Sequence, residues 1–187
     1  GCRSTPQDFI HRLMLRYARQ GKCVVRLKGG DPCIFGRGSE EADWLAEHGI
    51  KVEMVNGITA GLAGATQCGI SLTQRGVARG VTLVTAHTLD DSSPEWQALA
   101  KSGTTLVVYM GVSKLEQVQA GLLEGGLSAG TPVAMIENAS LPQQRECRSS
   151  LAGMCRDALA FKLKSPAILV IGEVAAQAAF QAVSQSA

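Results

Sequence analysis

What most constrains the fold of this chain is an alternation. Short runs of β-branched and aliphatic residues, at 24–27, 51–55, 81–85, 105–109, 133–137 and 167–171, are separated by stretches with helical spacing. The first such stretch opens on Thr5-Pro6-Gln7-Asp8. Thr5 can cap it, Pro6 suits a first turn, and Asp8 complements the positive helix end. Phe9, Ile10, Leu13, Met14 and Tyr17 then recur at helical intervals until Gly21 stops the run. Further helices are expected over 40–47, closed by Gly49, over 58–67, whose small residues suit close packing, and over 95–101 and 115–123. The Ala- and Gln-rich tail, 175–183, also reads as helical. This order predicts an α/β architecture with mostly parallel strands. A Gly/Arg-rich stretch at 76–80 marks the expected boundary between a first α/β domain, 1–76, and a second, 77–187. The first domain then holds only two strand candidates, and a two-stranded sheet is marginal in water. Further strands are therefore expected ahead of Gly1, and Gly1-Cys2-Arg3-Ser4 reads as an internal stretch.

Composition excludes several classes of function. The formal charge is +2 with no block of like charge, so nothing demands nucleic acid or an anionic membrane as partner. Aromatics are only 4% of residues, too few for base-stacking platforms. A compact acidic ligand needs only a few well-placed arginines and stays open. The six cysteines form no Cys-x-x-Cys pair and no cluster with histidine at zinc spacing, so no metal site is expected. Free thiols in a reducing cytoplasm are the plain reading. The longest apolar runs, such as 167–171, are strand-sized, and no membrane span is present.

The densest local feature is the stretch 24–41. A β-branched run with basic residues, Val24-Val25-Arg26-Leu27-Lys28, ends in Gly29-Gly30-Asp31-Pro32 and leads through Cys33-Ile34-Phe35-Gly36-Arg37-Gly38 to Glu40-Glu41. Ligands of open α/β sheets bind beyond the carboxyl ends of strands. Glycines there let a ligand approach the backbone. A plain tight turn accounts for the same composition. No Gly-Lys-Ser/Thr follows, so this is not a Walker loop, and it is not the dinucleotide GxGxxG fingerprint.

These residues resemble the signature of the tetrapyrrole methylases. The lead-in 24–28 is similar to the branch of that family that acts on uroporphyrinogen III. The resemblance continues through Gly57-Ile58-Thr59-Ala60, Gly69-Ile70-Ser71-Leu72-Thr73-Gln74-Arg75-Gly76 and Thr85-Ala86-His87. It then runs through Tyr109-Met110-Gly111, Pro132-Val133-Ala134, Gln143-Gln144-Arg145, Ser165-Pro166-Ala167 and Gly172-Glu173-Val174, covering nearly the whole chain in order.

It implies a tetrapyrrole methylase-like fold of two α/β domains with S-adenosyl-L-methionine in the cleft between them, and a homodimer. The activity it implies is C-methylation of uroporphyrinogen III to precorrin-2, in sirohaem- or cobalamin-type synthesis, with S-adenosyl-L-homocysteine as product. Gly29, Gly30, Asp31, Ile34, Thr59, Ala60, Met110 and Ala139 fall on the family's cofactor positions. Arg37, Glu40 and Arg75 fall where an octacarboxylate macrocycle would be bound. Arginine suits that task because its fork pairs carboxylates bidentately and stays charged. The family's acid/base residues fall ahead of Gly1, so no catalytic residue is assigned within 1–187, and a polypeptide limited to this segment is expected to be inactive.

The chain departs from the family pattern at Asn56, Gln74, Ala86 and Ala139, the last standing where glycine is usual. Two other readings stay open on the sequence. One is a precorrin methyltransferase acting later in cobalamin synthesis. The other is a ligand-binding or dimerisation module that keeps the fold without the activity.

Overall fold

The computed structural model describes residues 5–87, 94–178 and 180. The chain forms two compact units, Gly1–Thr59 and Ala60–Ala187.

In the first unit, helix α1 (Gln7–Ala18) follows Pro6, and no side chain caps it. The Thr5 cap expected from sequence is not made. Pro6 takes the cap position itself, with φ −56° and ψ 136°. Of the periodic apolar residues, Met14 turns inward with Leu15 against Leu45, Trp44 and Ile50. Phe9, Leu13 and Tyr17 stay exposed. Helix α2 (Gly38–Glu47) supplies the facing surface, and Gly49 ends it at φ +77°.

The strands expected at 24–27 and 51–55 are not paired. Their residues carry no regular structure and exchange no backbone hydrogen bonds. They line a cleft of about 660 Å³ with α1 and α2. β-branched sequence favours a strand, but a ladder requires a neighbouring edge, and none is present among the described residues of this unit.

The second unit is built on a five-stranded sheet in the order β1-β2-β5-β3-β4: β1 is Val81–Thr85, β2 Thr105–Tyr109, β3 Pro132–Glu137, β4 Arg145–Ser150 and β5 Ala167–Ile171. Of its central strands, β2 and β5 are buried along their whole length and β3 from Val133 onward, which is why they read as continuous apolar runs. Helices α3 (Ala60–Gln67), α4 (Trp96–Ala100), α5 (Leu115–Glu124) and α6 (Met154–Phe161) complete the unit. Trp96, Val118, Leu122, Met154 and Ala158 interlock with Leu106, Val108, Met135 and Leu169 in its core.

The expectation of mostly parallel strands does not hold in this sheet. Only β1 and β2 pair in parallel, while β2–β5, β5–β3 and β3–β4 are antiparallel. The cause is a pair of elements that the sequence hides. Strand β4 returns from β3 as an antiparallel neighbour, and α6 then carries the chain back so that β5 enters antiparallel between β2 and β3. In the tail, residues 173–176 close a short 3-10 turn and Gln177 is extended. The helix expected over 175–183 therefore does not begin there. Residues 179 and 181–183 lie outside the described residues.

Candidate cofactor and substrate site

The Gly-Gly-Asp-Pro segment of the first unit is held by its own side chains. Asp31 spends its carboxylate on backbone: one oxygen accepts the Cys33 N–H at 2.8 Å and the other the Gly57 N–H at 3.1 Å. A Cβ at Gly57 would collide with the Gly30 carbonyl oxygen, so the 57 and 30 backbones meet only because residue 57 is glycine. Gly30 itself turns at φ +88°. A Cβ at Gly29 would meet nothing within 4 Å, so that backbone face is open to a ligand. Ile34 is half-buried beyond the turn, its N–H donating to the Asp31 carbonyl at 3.3 Å.

A buried carboxylate anchors this loop from behind. Glu41, 4% exposed, receives Lys28 Nζ at 2.8 Å and Gln7 Nε2 at 2.7 Å, with Arg26 at 3.5 Å. Burial alone would raise its pKa, but the bonds from Lys28 and Gln7 outweigh it, and the carboxyl lies below its ordinary value. Lys28 Nζ also donates to the Gly36 carbonyl at 2.5 Å, so one ammonium ties both ends of the 29–36 loop to α2. Sequence reasoning passed over this group, although the adjacent acids Glu40-Glu41 and the basic lead-in were its signal.

Arg37 stands at the N-terminus of α2 with φ +56° and reaches Glu40 Oε2 through Nε at 2.9 Å and Nη2 at 2.7 Å. This bond raises the arginine's pKa and lowers the glutamate's. Both side chains are about half exposed, at 54% and 53%. The pair therefore adds little stability and remains available to a ligand. Arg75, in the second unit, sits in a tight turn closed by reciprocal Gln74–Ala78 backbone bonds of 2.9 Å, with Gly76 at φ +81°. It is exposed and makes no ion pair among the described residues.

The second unit carries a cavity of about 510 Å³ beyond the C-terminal ends of β1, β2 and β3. Ala60, Met110 and Ala139 line it with Tyr109, Leu141 and Pro166, and His87 stands at its edge. His87 folds back on its own strand, its N–H donating to Thr85 Oγ1 at 3.2 Å. Three non-glycine residues at the rim hold left-handed backbone: Met110 at φ +55°, Asn138 at +52° and Ser140 at +67°. Such conformations cost energy and cluster where a ligand is held. Helix α3 reaches the cavity through small residues. The Gly61 N–H donates to Tyr109 Oη at 2.8 Å, and a Cβ there would fall 2.5 Å from that oxygen. Thr59, just before α3, is buried. The Ala139 methyl packs against Gly64 of α3, where a Cβ would approach it to 2.8 Å.

These features fit an adenosyl sulfonium compound. The cavity falls within the size range of small-ligand sites and combines apolar walls with strand-end backbone and an Asn amide. The open Gly29 face offers unhindered main chain. No group of three or more His, Cys, Asp or Glu that could hold a metal ion occurs among the described residues.

The fold and these loops define a class, and the comparisons agree. The family model of Tetrapyrrole (Corrin/Porphyrin) Methylases matches residues 1–154, and the chain belongs to that family. It is 72% identical over 187 residues to a uroporphyrinogen-III C-methyltransferase of Pseudomonas aeruginosa, covering 100% of this chain and 76% of that protein. A uroporphyrinogen-III C-methyltransferase of Pseudomonas fluorescens is 69% identical over 189 residues, with the same coverage of 100% and 76%. Among solved structures, a uroporphyrin-III C-methyltransferase from Thermus thermophilus complexed with S-adenosyl homocysteine superimposes with TM-score 0.76 at 39% identity, covering 90% of this chain and 74% of that one.

Proposed function

We propose that this protein transfers a methyl group from S-adenosyl-L-methionine to carbon of uroporphyrinogen III. The observation that carries this reading is the 72% identity, over the whole chain, to a uroporphyrinogen-III C-methyltransferase. When bound, S-adenosyl-methionine supplies the methyl on a sulfonium that leaves as a neutral thioether. With so good a leaving group, the protein's work is chiefly positioning, which can supply several kcal/mol of a barrier.

The cofactor is held by Gly29, Gly30, Asp31 and Ile34, by Thr59 and Ala60, and by Met110 and Ala139. The glycines present bare backbone. Asp31 acts through that backbone, fixing the Cys33 and Gly57 amides. Arg37 and Arg75 take carboxylates of the macrocycle, and Glu40 pairs with the Arg37 guanidinium until a substrate carboxylate competes for it. The family resemblance supports a homodimer. The free, unclustered cysteines support a cytoplasmic setting, and no helix among the described residues is long and apolar enough to cross a membrane.

The test is calorimetric titration with S-adenosyl-homocysteine. Asp31→Ala removes two charge-assisted acceptor bonds and should weaken binding by roughly ten- to a hundred-fold. An unchanged dissociation constant in a folded Asp31→Ala protein would remove the Gly-Gly-Asp segment from the cofactor site.

A further inference from the structure

The sequence motif Gln143-Gln144-Arg145 has no part in the function as described so far, and neither Gln144 nor Arg145 lines the cavity of the second unit. Both nevertheless hold the walls of that cavity. One wall is the turn 138–141, which contributes Asn138, Ala139 and Leu141; another is the segment 165–168. The turn is strained, with left-handed backbone at Asn138 and Ser140. Gln144 Oε1 accepts the Ser140 N–H at 2.7 Å. Behind the turn, the buried Glu137 carboxylate gathers three donors: Arg145 Nη2 at 2.7 Å, the Lys164 N–H at 2.9 Å and Asn138 Nδ2 at 3.4 Å. Arg145 also lies over the Phe161 ring at 4.3 Å and reaches the Phe161 and Lys162 carbonyls at 3.5 Å. The Asn138 N–H, finally, donates to the Pro166 carbonyl at 3.0 Å, joining one wall to the other.

We propose that Gln144 and Arg145 are positioning residues for cofactor binding: Gln144 holds the strained 138–141 turn through the Ser140 amide, and Arg145, through Glu137, fixes that turn to the 162–167 segment. A left-handed non-glycine residue persists only where its surroundings over-determine it. Without the Gln144 acceptor, Ser140 loses the partner that holds it there, and the backbone beside Ala139 relaxes away from the ligand. The site then has to be re-formed on binding, and affinity falls by the fraction of molecules in the competent conformation. This rests on the reading that the second-unit cavity receives part of S-adenosyl-methionine.

The experiment compares wild type, Gln144→Ala, Gln144→Met and Gln144→Glu by S-adenosyl-homocysteine calorimetry and steady-state kinetics. The acceptor oxygen is the discriminating feature, since Glu keeps it and Met keeps only the bulk. The expected result is a roughly ten-fold weaker S-adenosyl-homocysteine affinity for Ala and Met. The same two variants should show a matching rise in KM for S-adenosyl-methionine, with kcat and the KM for the tetrapyrrole nearly unchanged, and Glu should restore the affinity. If Ala fails to fold, the Met and Glu pair decides the matter alone. Wild-type affinity in the Met variant overturns the proposal, as does a Glu variant as weak as Met, or an equal loss for both substrates that follows a lowered Tm. Failure of wild type itself to bind S-adenosyl-homocysteine overturns the cofactor reading and this inference with it.

Discussion

At the scale of single residues, the division of labour among charges separates fastening from binding. Glu41 is buried and saturated by Lys28, Gln7 and Arg26, so it fastens a loop. Arg37 and Glu40 are half exposed and, among the described residues, their side chains pair with each other, so that pairing can be exchanged for a substrate carboxylate at little cost. Arg37→Ala and Arg75→Ala should each weaken binding of uroporphyrinogen III roughly ten-fold while leaving S-adenosyl-homocysteine affinity nearly intact. A fluorescence titration with the macrocycle reads this directly, and wild-type affinity in both variants would reduce the two arginines to surface charge. Cysteine chemistry separates in the same way. Burial, with Glu146 nearby, pushes the Cys68 thiol up to about 12, so it is inert, whereas Cys23 and Cys33 are exposed.

At the scale of elements, the helix α3 shows why small residues were needed at its positions. Gly61 admits the Tyr109 hydroxyl and Gly64 admits the Ala139 methyl. The Ala139 methyl is therefore accommodated by a glycine opposite it. Gly64→Ala would place one methyl 2.8 Å from another that has no rotamer to escape into. It should destabilise the protein by about 1–3 kcal/mol in urea unfolding, and Ala139→Gly in the same chain should recover most of that. Strictly additive effects would show that the two sites do not touch. The elements also show what was legible beforehand. Of the four apolar strand candidates that fall in the second unit, the three central ones stood out because burial on both faces leaves no polar alternation to confuse the pattern, as in β2, β3 and β5. Strand β4 did not, because Arg145-Glu146-Cys147-Arg148-Ser149-Ser150 is an edge strand and wears polar side chains. Helix α6 went unread with it, and the sheet's antiparallel character followed from those two. In the site, the Gly-Gly-Asp turn and Arg37 were legible as motif chemistry. Two supporting brackets, Lys28 with Glu41 in the first unit and Arg145 with Glu137 in the second, depend on partners brought together by folding.

At the scale of the whole molecule, the two units differ in how their backbone is satisfied. The sheet of the second unit pairs all five of its strands, while the segments 24–27 and 51–55 of the first exchange no backbone hydrogen bonds. In the polypeptide 1–187, hydrogen exchange should be fast across 24–27 and 51–55 and slow in β2, β3 and β5. Slow exchange at 24–27 would show that those amides are hydrogen-bonded. Whether this tetrapyrrole methylase methylates carbon of uroporphyrinogen III is read by following the methyl group. The purified protein is incubated with uroporphyrinogen III and S-adenosyl-methionine bearing a trideuterated methyl, and the tetrapyrrole is analysed by mass spectrometry. Trideuteromethyl is expected on the macrocycle's carbon, with S-adenosyl-homocysteine formed in step. Saturable S-adenosyl-homocysteine binding with no label in the tetrapyrrole would contradict it and identify a binding module that keeps the fold without the chemistry.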